Sequence, residues 1–500
     1  MSSAPETLRA LVERRFVALA VLLVLAVHAI SLGHGFVDFD DDAIFLRHPV
    51  ITRTDPAVVL PALFDLDRPD DFRPMRDLSH WADLLVHRHT PLWSHLHHLV
   101  MLALAVVMTG AFLRRIGRGG AFGLVVLALA YTHPVQVEVI GWISGRKDLL
   151  ASIFFFGALV AFLRYLRGGP AVAWALATTA LVALGMMSKG HVIVAPGVLL
   201  MLWLHERWRA PETVTRRTSA VAFYLALLTL ACLAAAPRVA GGHVVLPEAY
   251  RDTVRFSLTL GDRLQLPLRY VINLLWPADL NHIYLTPRLD TLHDVMTVAS
   301  ALLTLALAAL GLRWLWRRDP RGPLLAIVAG VMLPFLHFKP GVVYMADRYL
   351  FLAMPFIALL AVDGIARLLA RWRVPSRWQA VMASVTLALC ALVSVAEHAA
   401  WRDPISLWGR MTRVYPESAW GFDRLGRAYY HAGRYAEAGG AWIAAAEREP
   451  GASKHLNNAA VAAMALGEDA AAVGLLRRAL SLDPNDAQAR SNLRKLGVEP

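Results

Sequence analysis

The chain has 500 residues, of which 57% are hydrophobic and 18% charged, with a formal net charge of +12 and a mean hydropathy of +0.47. This composition excludes an ordinary soluble domain, in which about a quarter of the residues are charged. The positive charge does not indicate nucleic-acid binding, because the arginines stand in short loops between apolar runs without interleaved aromatic residues. The composition therefore predicts a polytopic membrane protein.

Eleven apolar runs are read as membrane spans, although several are short. They cover residues 16–32, 91–113, 121–137, 149–166, 171–187, 191–205, 218–236, 293–312, 322–337, 349–368 and 377–396. No small-residue cleavage site clearly follows the first run, so it is predicted to be retained. If the N-terminus is inside, the arginine-rich loops fall inside and the acidic segment 33–90 outside. The pattern predicts an all-α bundle in a bacterial inner membrane, with arginine alone at the inner ends of the spans.

Residues 238–292 do not fit this alternation simply. They include "RFSLTLGDRLQLPLRYVINLLWP", which is amphipathic and interrupted by Pro267. We expect this stretch to lie at the membrane interface, and a full span over 254–276 stays open as the alternative. The two cysteines, Cys232 and Cys390, lie inside apolar runs and are predicted to pack rather than to form a disulfide or bind metal.

A different pattern begins after Glu397, where a period of 34 residues replaces the apolar runs. Prolines recur at 416, 450 and 484, and glycines at 433 and 467. This is the spacing of tetratricopeptide (TPR) repeats, in which paired antiparallel helices stack into a solenoid. The sequence therefore predicts a membrane domain over 1–400 and a TPR domain over 401–500, the latter on the periplasmic side.

Acidic and basic residues collect at the predicted outer ends of the spans. They occur in "FVDFDDDAIFLRHPVI", "YTHPVQVEVIGWISGRKDLLAS", "SKGH" and "FKPGVVYMADRYLFL". Ionisable residues at membrane depth indicate a functional site. Other interpretations stay open: Lys147 and Lys339 as snorkelling side chains, Asp148 as a helix cap, Arg348 as a partner of Asp347, and the acidic loop as a merely solvated segment.

The order of these motifs resembles a known family. "DDDAIFLRHP", "FRPM", "THPVQVEVIGWISGRKDLLAS", "SKGHVI", "RYVINLLWP" and "ADRYLFL" follow one another as in the transmembrane-and-tetratricopeptide O-mannosyltransferases (TMTC proteins) of the GT-C glycosyltransferase superfamily. The resemblance runs from about residue 30 to the end. It implies a GT-C-like membrane fold and transfer of a sugar from a polyprenyl-phosphate donor to an acceptor hydroxyl. After the fifth span this chain has "SKG", keeping Lys189 but lacking the acid that often follows in the family, and its repeat domain is short; the sugar and the substrate stay open.

The chemistry of such a transfer assigns roles to the outer residues. A carboxylate must take the acceptor proton, and cations must hold the departing phosphate. Asp40 or Asp41 is predicted as the general base, and Glu138 is expected to orient it or the acceptor. The cations predicted to bind the donor phosphate are Arg348, Arg146 and Lys189. The residues expected to support the site are His133, Asp42, Arg73 and Asp148. A single displacement would invert the anomeric configuration. No metal site is predicted, and although a divalent cation could bridge acids and phosphate, no ligand spacing requires one.

The partners predicted from these motifs are the lipid-linked sugar donor, membrane lipids and a protein or glycan acceptor bound through the repeats; nucleic acid is not expected. Three alternatives stay open. One is a glycosyltransferase that acts on a glycan or a lipid. Another is a transporter, which would call for ionisable residues near mid-span and discontinuous helices in matching halves. The third is a non-catalytic scaffold built around the repeats.

Overall fold

The computed structural model describes residues 4–66, 72–168, 170–214, 218–239, 259–285, 290–335 and 344–499. Lys339 lies outside the described residues, and so does 240–258, the first part of the stretch that the sequence left ambiguous. Within the described ranges the chain forms helices and connecting turns, and no strand occurs there.

The helices up to Glu397 are numbered in chain order. They are α1 Ala4–His28, α2 Pro56–Leu63, α3 Pro74–His87, α4 Pro91–Arg115, α5 Gly120–Thr132, α6 Val137–Gly141, α7 Arg146–Leu166, α8 Ala171–Ser188, α9 Ala195–Arg209, α10 Thr218–Val239, α11 Leu260–Leu275, α12 Thr291–Trp316, α13 Arg321–Met332, α14 Met354–Arg371 and α15 Ser376–Glu397. Short 3₁₀ turns occupy Ala29–Gly33, Pro134–Gln136, Ile143–Gly145, Gly190–Val194, Pro211–Thr213, Leu333–Phe335, Asp347–Leu350 and His398–Trp401, and Asp42–Leu46 forms a π-helical turn.

Within the described part of the chain, seven helical segments are long and apolar enough to cross a membrane. They are Val12–Gly33, Pro91–Arg115, Ile143–Leu166, Ala171–Ser188, Ser219–Pro237, Thr291–Trp316 and Ser376–Trp401. The bent pair Gly120–Thr132 and Pro134–Gly141 makes an eighth if it is counted as one span. The predicted all-α polytopic bundle is confirmed. The sidedness of the bundle, which was argued from the number of spans, stays a prediction.

The expected eleven spans are too many by this measure. A helix forms at each predicted run. The runs at 191–205, 322–337 and 349–368 form α9, α13 and α14, which are not among the seven candidate spans. Of these, α9 and α13 are short, with 15 and 12 residues, and α14 carries Asp363 and Arg367. The amphipathic stretch becomes α11, whose 16 residues do not meet the test either.

One large apolar core joins helices from across the bundle, including α1, α4, α5, α7, α9, α13 and α14. By contrast, only 6% of the apolar window is buried in α12 and likewise in the segment that contains α15. Acyl chains are as apolar as leucine, so these two helices can face lipid without cost. Cys232 is buried in α10 and Cys390 is partly buried in α15, both as free thiols.

The segment after α5 bends by 56° at His133 and Pro134. Proline lacks the N–H that would continue the helical hydrogen bonds, so the chain can turn there. The imidazole of His133 stabilises the turn, because Nε2 donates to the Leu274 carbonyl at 2.9 Å and Nδ1 accepts from the Val135 N–H at 3.4 Å. The bend carries α6 and Trp142 across the end of the bundle.

The C-terminal part consists of short helices that pack as neighbours along the chain. They are α16 Pro404–Val414, α17 Ala419–His431, α18 Tyr435–Arg448, α19 Ser453–Ala465, α20 Asp469–Leu482 and α21 Ala487–Lys495. The hairpin α17–α18 and the hairpin α19–α20 begin 34 residues apart, at 419 and 453. Gly426 allows the helices of the first hairpin to approach closely, since a Cβ there would lie 2.9 Å from the ring of Trp442.

This C-terminal part sits on the end of the bundle that carries the acidic segment. The Trp408 indole donates to Asp38 at 2.6 Å, and its ring lies against those of Phe39 and His282. The backbone N–H of Gly35 donates to the Arg402 carbonyl at 2.9 Å. The acidic segment and the start of the C-terminal part therefore lie at the same end of the molecule. The division into domains at residue 400 stays a prediction.

Candidate active site

Asp41 anchors the acidic loop to the bundle. Its Oδ1 accepts hydrogen bonds from Ser144, at 2.5 Å from Oγ and 3.2 Å from the backbone N–H, while Oδ2 accepts from the Val37 N–H at 3.0 Å. The side chain is only 1% exposed. Burial raises the pKa of Asp41 to about 7, although the hydrogen bonds from Ser144 oppose that shift. Because both oxygens are occupied and buried, Asp41 is placed to hold the loop rather than to meet an acceptor.

Asp40 is the accessible carboxylate of the pair. Its side chain is 41% exposed, and Oδ2 lies 4.0 Å from Nζ of Lys147. The Lys147 ammonium also lies 5.1 Å from the centre of the Trp142 ring and is 14% exposed. Lys147 is thus held beside Asp40 in a mostly buried position. For Lys147, the sequence left two interpretations open, a snorkelling side chain and a residue of the functional site. Its mostly buried position beside Asp40 favours the functional site.

Arg348 is fixed by Glu138 from the bent segment. The guanidinium forms a buried ion pair with the Glu138 carboxylate, which also accepts the Arg348 backbone N–H at 2.8 Å. The guanidinium lies 5.6 Å from the centre of the Trp142 ring and 5.3 Å from that of Tyr349. Glu138 therefore orients a cation, whereas the sequence expected it to orient the base or the acceptor.

The suggested pairing of Arg348 with Asp347 does not occur. The carboxylate of Asp347 instead accepts from the Tyr284 hydroxyl at 2.6 Å and from the Asn273 amide at 2.8 Å. Burial, together with the nearby charge of Glu138, raises the pKa of Asp347 to about 8. Asp347 is thus part of the packing behind the site.

Lys189 is a third cation that lies beside aromatic rings. Its ammonium is paired with the buried carboxylate of Asp148 and lies 5.5 Å from the ring centre of Phe335 and 5.6 Å from that of Tyr349. Burial lowers the pKa of Lys189, and the Asp148 carboxylate opposes that shift. Arg73 lies within electrostatic range of this lysine. The predicted support from Asp148 thus takes the form of a direct partner for Lys189.

The rings join the three cations into one cluster. Trp142 lies between Lys147 and Arg348, and Tyr349 lies between Arg348 and Lys189. We call Lys147, Arg348 and Lys189 the cation row. The aromatic faces stabilise these cations, and Arg348 and Lys189 are also paired with carboxylates. A guanidinium or an ammonium has more N–H donors than one carboxylate accepts, so donors remain for an anion. The aromatic members were missed in the sequence, although Trp142 and Tyr349 stand directly within the two charged motifs.

Arg146 is not in the cation row. Its guanidinium is fully buried, pairs with Asp83 at 2.7 Å and donates to the carbonyls of Ser79 at 3.1 Å and Ser94 at 3.2 Å. A guanidinium engaged on all these sides has little left for a donor phosphate. The geometry therefore argues against the phosphate-binding role expected of Arg146 and indicates that it ties the loop helix α3 to α4 and α7.

Two of the expected supporting residues also lie apart from the row. Asp42 forms a solvent-exposed ion pair with Arg47 at 2.9 Å. The imidazole of His133 stabilises the bend through Leu274 and Val135, as described above, rather than through a hydrogen bond to Glu138. Among the described residues, no group of three or more histidine, cysteine, aspartate and glutamate side chains is arranged to hold a metal ion.

Fold and site together define a multi-pass helical membrane protein with a buried cation row and an open carboxylate at one end of the bundle. Comparison with curated proteins shows similarity to the protein O-mannosyl-transferase TMTC3 of Mus musculus and of Homo sapiens. Each is 29% identical over 199 residues, which is 36% of this chain and 20% and 21% of theirs. The protein O-mannosyl-transferase F38B6.6 of Caenorhabditis elegans is 24% identical over 154 residues, 28% of this chain and 22% of its own.

The TMTC-like resemblance inferred from the motifs is thus confirmed by these relatives. The matched region spans about a fifth of the length of each curated relative. No protein-family model matches the chain, and no solved structure matches it either.

Proposed function

We propose that this chain is an inverting GT-C-type glycosyltransferase that moves a sugar from a polyprenyl-phosphate donor to a hydroxyl of a protein acceptor. The observation that carries this proposal is the position of Asp40. It is the half-exposed carboxylate next to the cation row, while Asp41 and Glu138 are buried and occupied by their own partners. An open base beside fixed cations is what the transfer of a phosphate-linked sugar requires.

In the proposed reaction, the acceptor hydroxyl gives its proton to Asp40 as its oxygen attacks the anomeric carbon. The bond from that carbon to the phosphate oxygen breaks, and its electron pair leaves with the polyprenyl phosphate. Lys147 and Arg348 are held where they can stabilise the charge that develops on this leaving group, and Lys189 extends the row. One displacement from the side opposite the phosphate inverts the configuration.

An apolar groove supports a lipid-linked donor. It has a volume of about 680 Å³ and lies between α9, α10 and α13, and its lining includes the small residues Gly197, Ala222, Ala226, Ala326 and Gly330. Ile193 and Leu333 are among the residues that line the groove. Ile193 lies in the turn that follows Lys189, and Leu333 stands two residues before Phe335, whose ring packs against that lysine. A polyprenyl chain in the groove would therefore bring its phosphate to the cation row.

A protein acceptor is supported by the position of the helical hairpins. Helix α16 contacts the acidic segment through the hydrogen bond from Trp408 to Asp38, and it packs against α17 of the first hairpin. Stacked hairpins are binding surfaces for extended segments in many proteins. The relatives are named as protein O-mannosyl-transferases, and mannose is accordingly the first sugar to test.

We place the site on the periplasmic face of a bacterial inner membrane, on the basis of arginine asymmetry. Reporter fusions at Gly117 and after residue 500 should report opposite sides of the membrane. The same side at both points would refute this orientation.

The test of the reaction uses the full chain, purified and reconstituted in lipid. Polyprenyl phosphates that carry different labelled sugars are supplied with periplasmic protein as acceptor, and sugar nucleotides serve as the comparison donors. We expect label to enter protein from at least one polyprenyl donor and from no sugar nucleotide. Asp40→Asn should abolish the transfer, and Asp42→Asn, which removes a neighbouring surface charge, should keep it. The proposal is wrong if no lipid-linked donor is consumed, or if label enters only glycan or lipid.

A further inference from the structure

A second group of ionisable residues lies at the end of the bundle opposite Asp40. Helix α9 begins just after Lys189 and α14 just after Arg348, so the far ends of both helices lie away from the cation row. A cavity of about 170 Å³ opens between these far ends and the start of α13. Its charged lining residues are Arg118, Arg209, Arg321, Arg367, Asp319 and Asp363. The sequence analysis expected arginine alone at this end of the spans. That expectation was wrong, because Asp319, Asp363 and Glu206 also lie here.

The cavity carries a surplus of positive charge. Four arginines less two aspartates leave a lining charge of +2. Asp363 is shared by Arg118 at 3.1 Å and Arg367 at 2.6 Å, while Asp319 pairs with Arg321 at 2.5 Å. A guanidinium has more N–H donors than one carboxylate can accept. The pairs therefore hold the arginines in place and still leave donors for an anion.

Arg209 belongs to a neighbouring network. Its Nε lies 3.3 Å from Oε1 of Glu206, a carboxylate that also pairs with Arg167 at 2.5 Å. His205, which also lines the cavity, is 2% exposed, and its Nδ1 donates to the Pro320 carbonyl at 2.7 Å. The Nε2 of that neutral ring makes no hydrogen bond among the described residues and is left as an acceptor. The cavity thus offers donors for an anion and one acceptor for a hydroxyl.

We propose that this cavity binds the phosphate of an anionic glycerophospholipid. Planar guanidinium groups match the geometry of phosphate oxygens, and a glycerol hydroxyl in the headgroup would satisfy His205. The remaining wall is apolar, formed by Leu324, Leu359 and Leu360, and can meet the start of an acyl chain. Basic pockets between membrane helices are suited to such headgroups.

The lining residues of the cavity come from several helices. Arg118 stands in the loop after α4, Arg209 in α9, Arg321 in α13 and Arg367 in α14. A bound phosphate would therefore bridge the far ends of these helices, two of which begin beside Lys189 and Arg348. The lipid site is separate from the apolar groove, which follows the other half of α9 and α13.

The test measures lipid retention on the full chain by native mass spectrometry after release from nanodiscs. Phosphatidylglycerol is compared with phosphatidylcholine of the same acyl chains. The test variant is Arg118→Gln with Arg209→Gln, because Asp363 and Glu206 each keep another arginine. The matched control is Arg317→Gln with Arg371→Gln, which removes two exposed charges at the same end outside the cavity.

We expect a preference for phosphatidylglycerol, a loss of about tenfold or more in its retention in the test variant, and no such loss in the control. Asp319→Asn should increase retention of phosphatidylglycerol, because it frees Arg321. If the double variant does not fold, the result for Asp319→Asn decides the test. Equal loss in both double variants, no lipid preference, or unchanged retention in Asp319→Asn would overturn the proposal. Displacement of the lipid by millimolar inorganic phosphate would also overturn it, because the ligand would then be the free anion.

Discussion

Three consecutive aspartates of the acidic loop occupy three different environments and should respond differently to the same substitution. Asp40 is half exposed beside Lys147, Asp41 is buried against Ser144, and Asp42 is paired on the surface. Asparagine keeps the size and polarity of each side chain and removes only its ability to ionise. The three variants Asp40→Asn, Asp41→Asn and Asp42→Asn therefore separate catalysis, anchoring and surface charge.

The expected magnitudes follow from these environments. Asp40→Asn should slow transfer by about 10² to 10⁴, the usual contribution of a general base, with the thermal stability unchanged. Asp41→Asn places an amide N–H₂ against backbone N–H groups, because Val37 and Ser144 both donate to this side chain. An unmatched buried polar group costs about 1–3 kcal/mol of the free energy of unfolding. Asp42→Asn breaks only an exposed ion pair, worth about 0–1 kcal/mol.

The assay combines two measurements on each variant. Transfer from the polyprenyl donor is followed with initial rates at saturating donor, and the melting temperature is measured in the same detergent. Binding of the donor to Asp40→Asn should stay as in the unsubstituted protein. If Asp40→Asn transfers sugar at the normal rate while Asp41→Asn is stable but inactive, the base is Asp41 and the assignment from exposure is wrong.

Three further predictions concern the surroundings of Asp40. Arg348→Gln should weaken binding of a fluorescent polyprenyl phosphate by roughly tenfold or more, since charge-assisted hydrogen bonds contribute about 1.5–3 kcal/mol; an unchanged Kd would contradict the phosphate role. Gly145→Ala should lower the melting temperature, because its Cβ would lie 3.0 Å from Cα of Val139 and closer still to that residue's carbonyl oxygen; an unchanged melting temperature would refute this. The pKa of Asp41, raised to about 7, makes the folded state lose stability as the pH rises from about 4 to 7. The loss is about 1.4 kcal/mol per pH unit, and the unfolding curves of Asp41→Asn should lack it.

The helices could be predicted from the sequence because hydrophobic runs and a 34-residue period are local signals. The number of spans could not, since a hydrophobic run does not show where its helix bends or ends. The run at 121–137 contains Pro134, and the structure turns there by 56°. The run at 349–368 reads as a span, but Asp363 within its helix pairs with Arg367 and with Arg118 at the far end of the bundle.

The candidate site, like the number of spans, could be predicted only in part, because some of its features are local in the sequence and others depend on distant helices. The sequence identified both charged motifs and the acidic loop, but it could not choose between neighbours. Arg146 and Lys147 are consecutive, and successive residues of a helix point about 100° apart. One therefore faces Asp83 inside the bundle and the other faces Asp40. Which direction is interior depends on helices far away along the chain, and no local pattern contains that information.

The charges of the site suggest why the base and the cation row belong together. The cations Lys147, Arg348 and Lys189 are matched in number by the carboxylates of Asp40, Glu138 and Asp148. This group is therefore balanced as long as Asp40 is ionised. In the proposed reaction Asp40 takes the acceptor proton, and the row gains one net positive charge. The phosphate oxygen gains negative charge in the same step, as its bond to the sugar breaks. Proton transfer to Asp40, beside the cation row, thus strengthens the electrostatic stabilisation of the leaving phosphate in the transition state, when its negative charge develops.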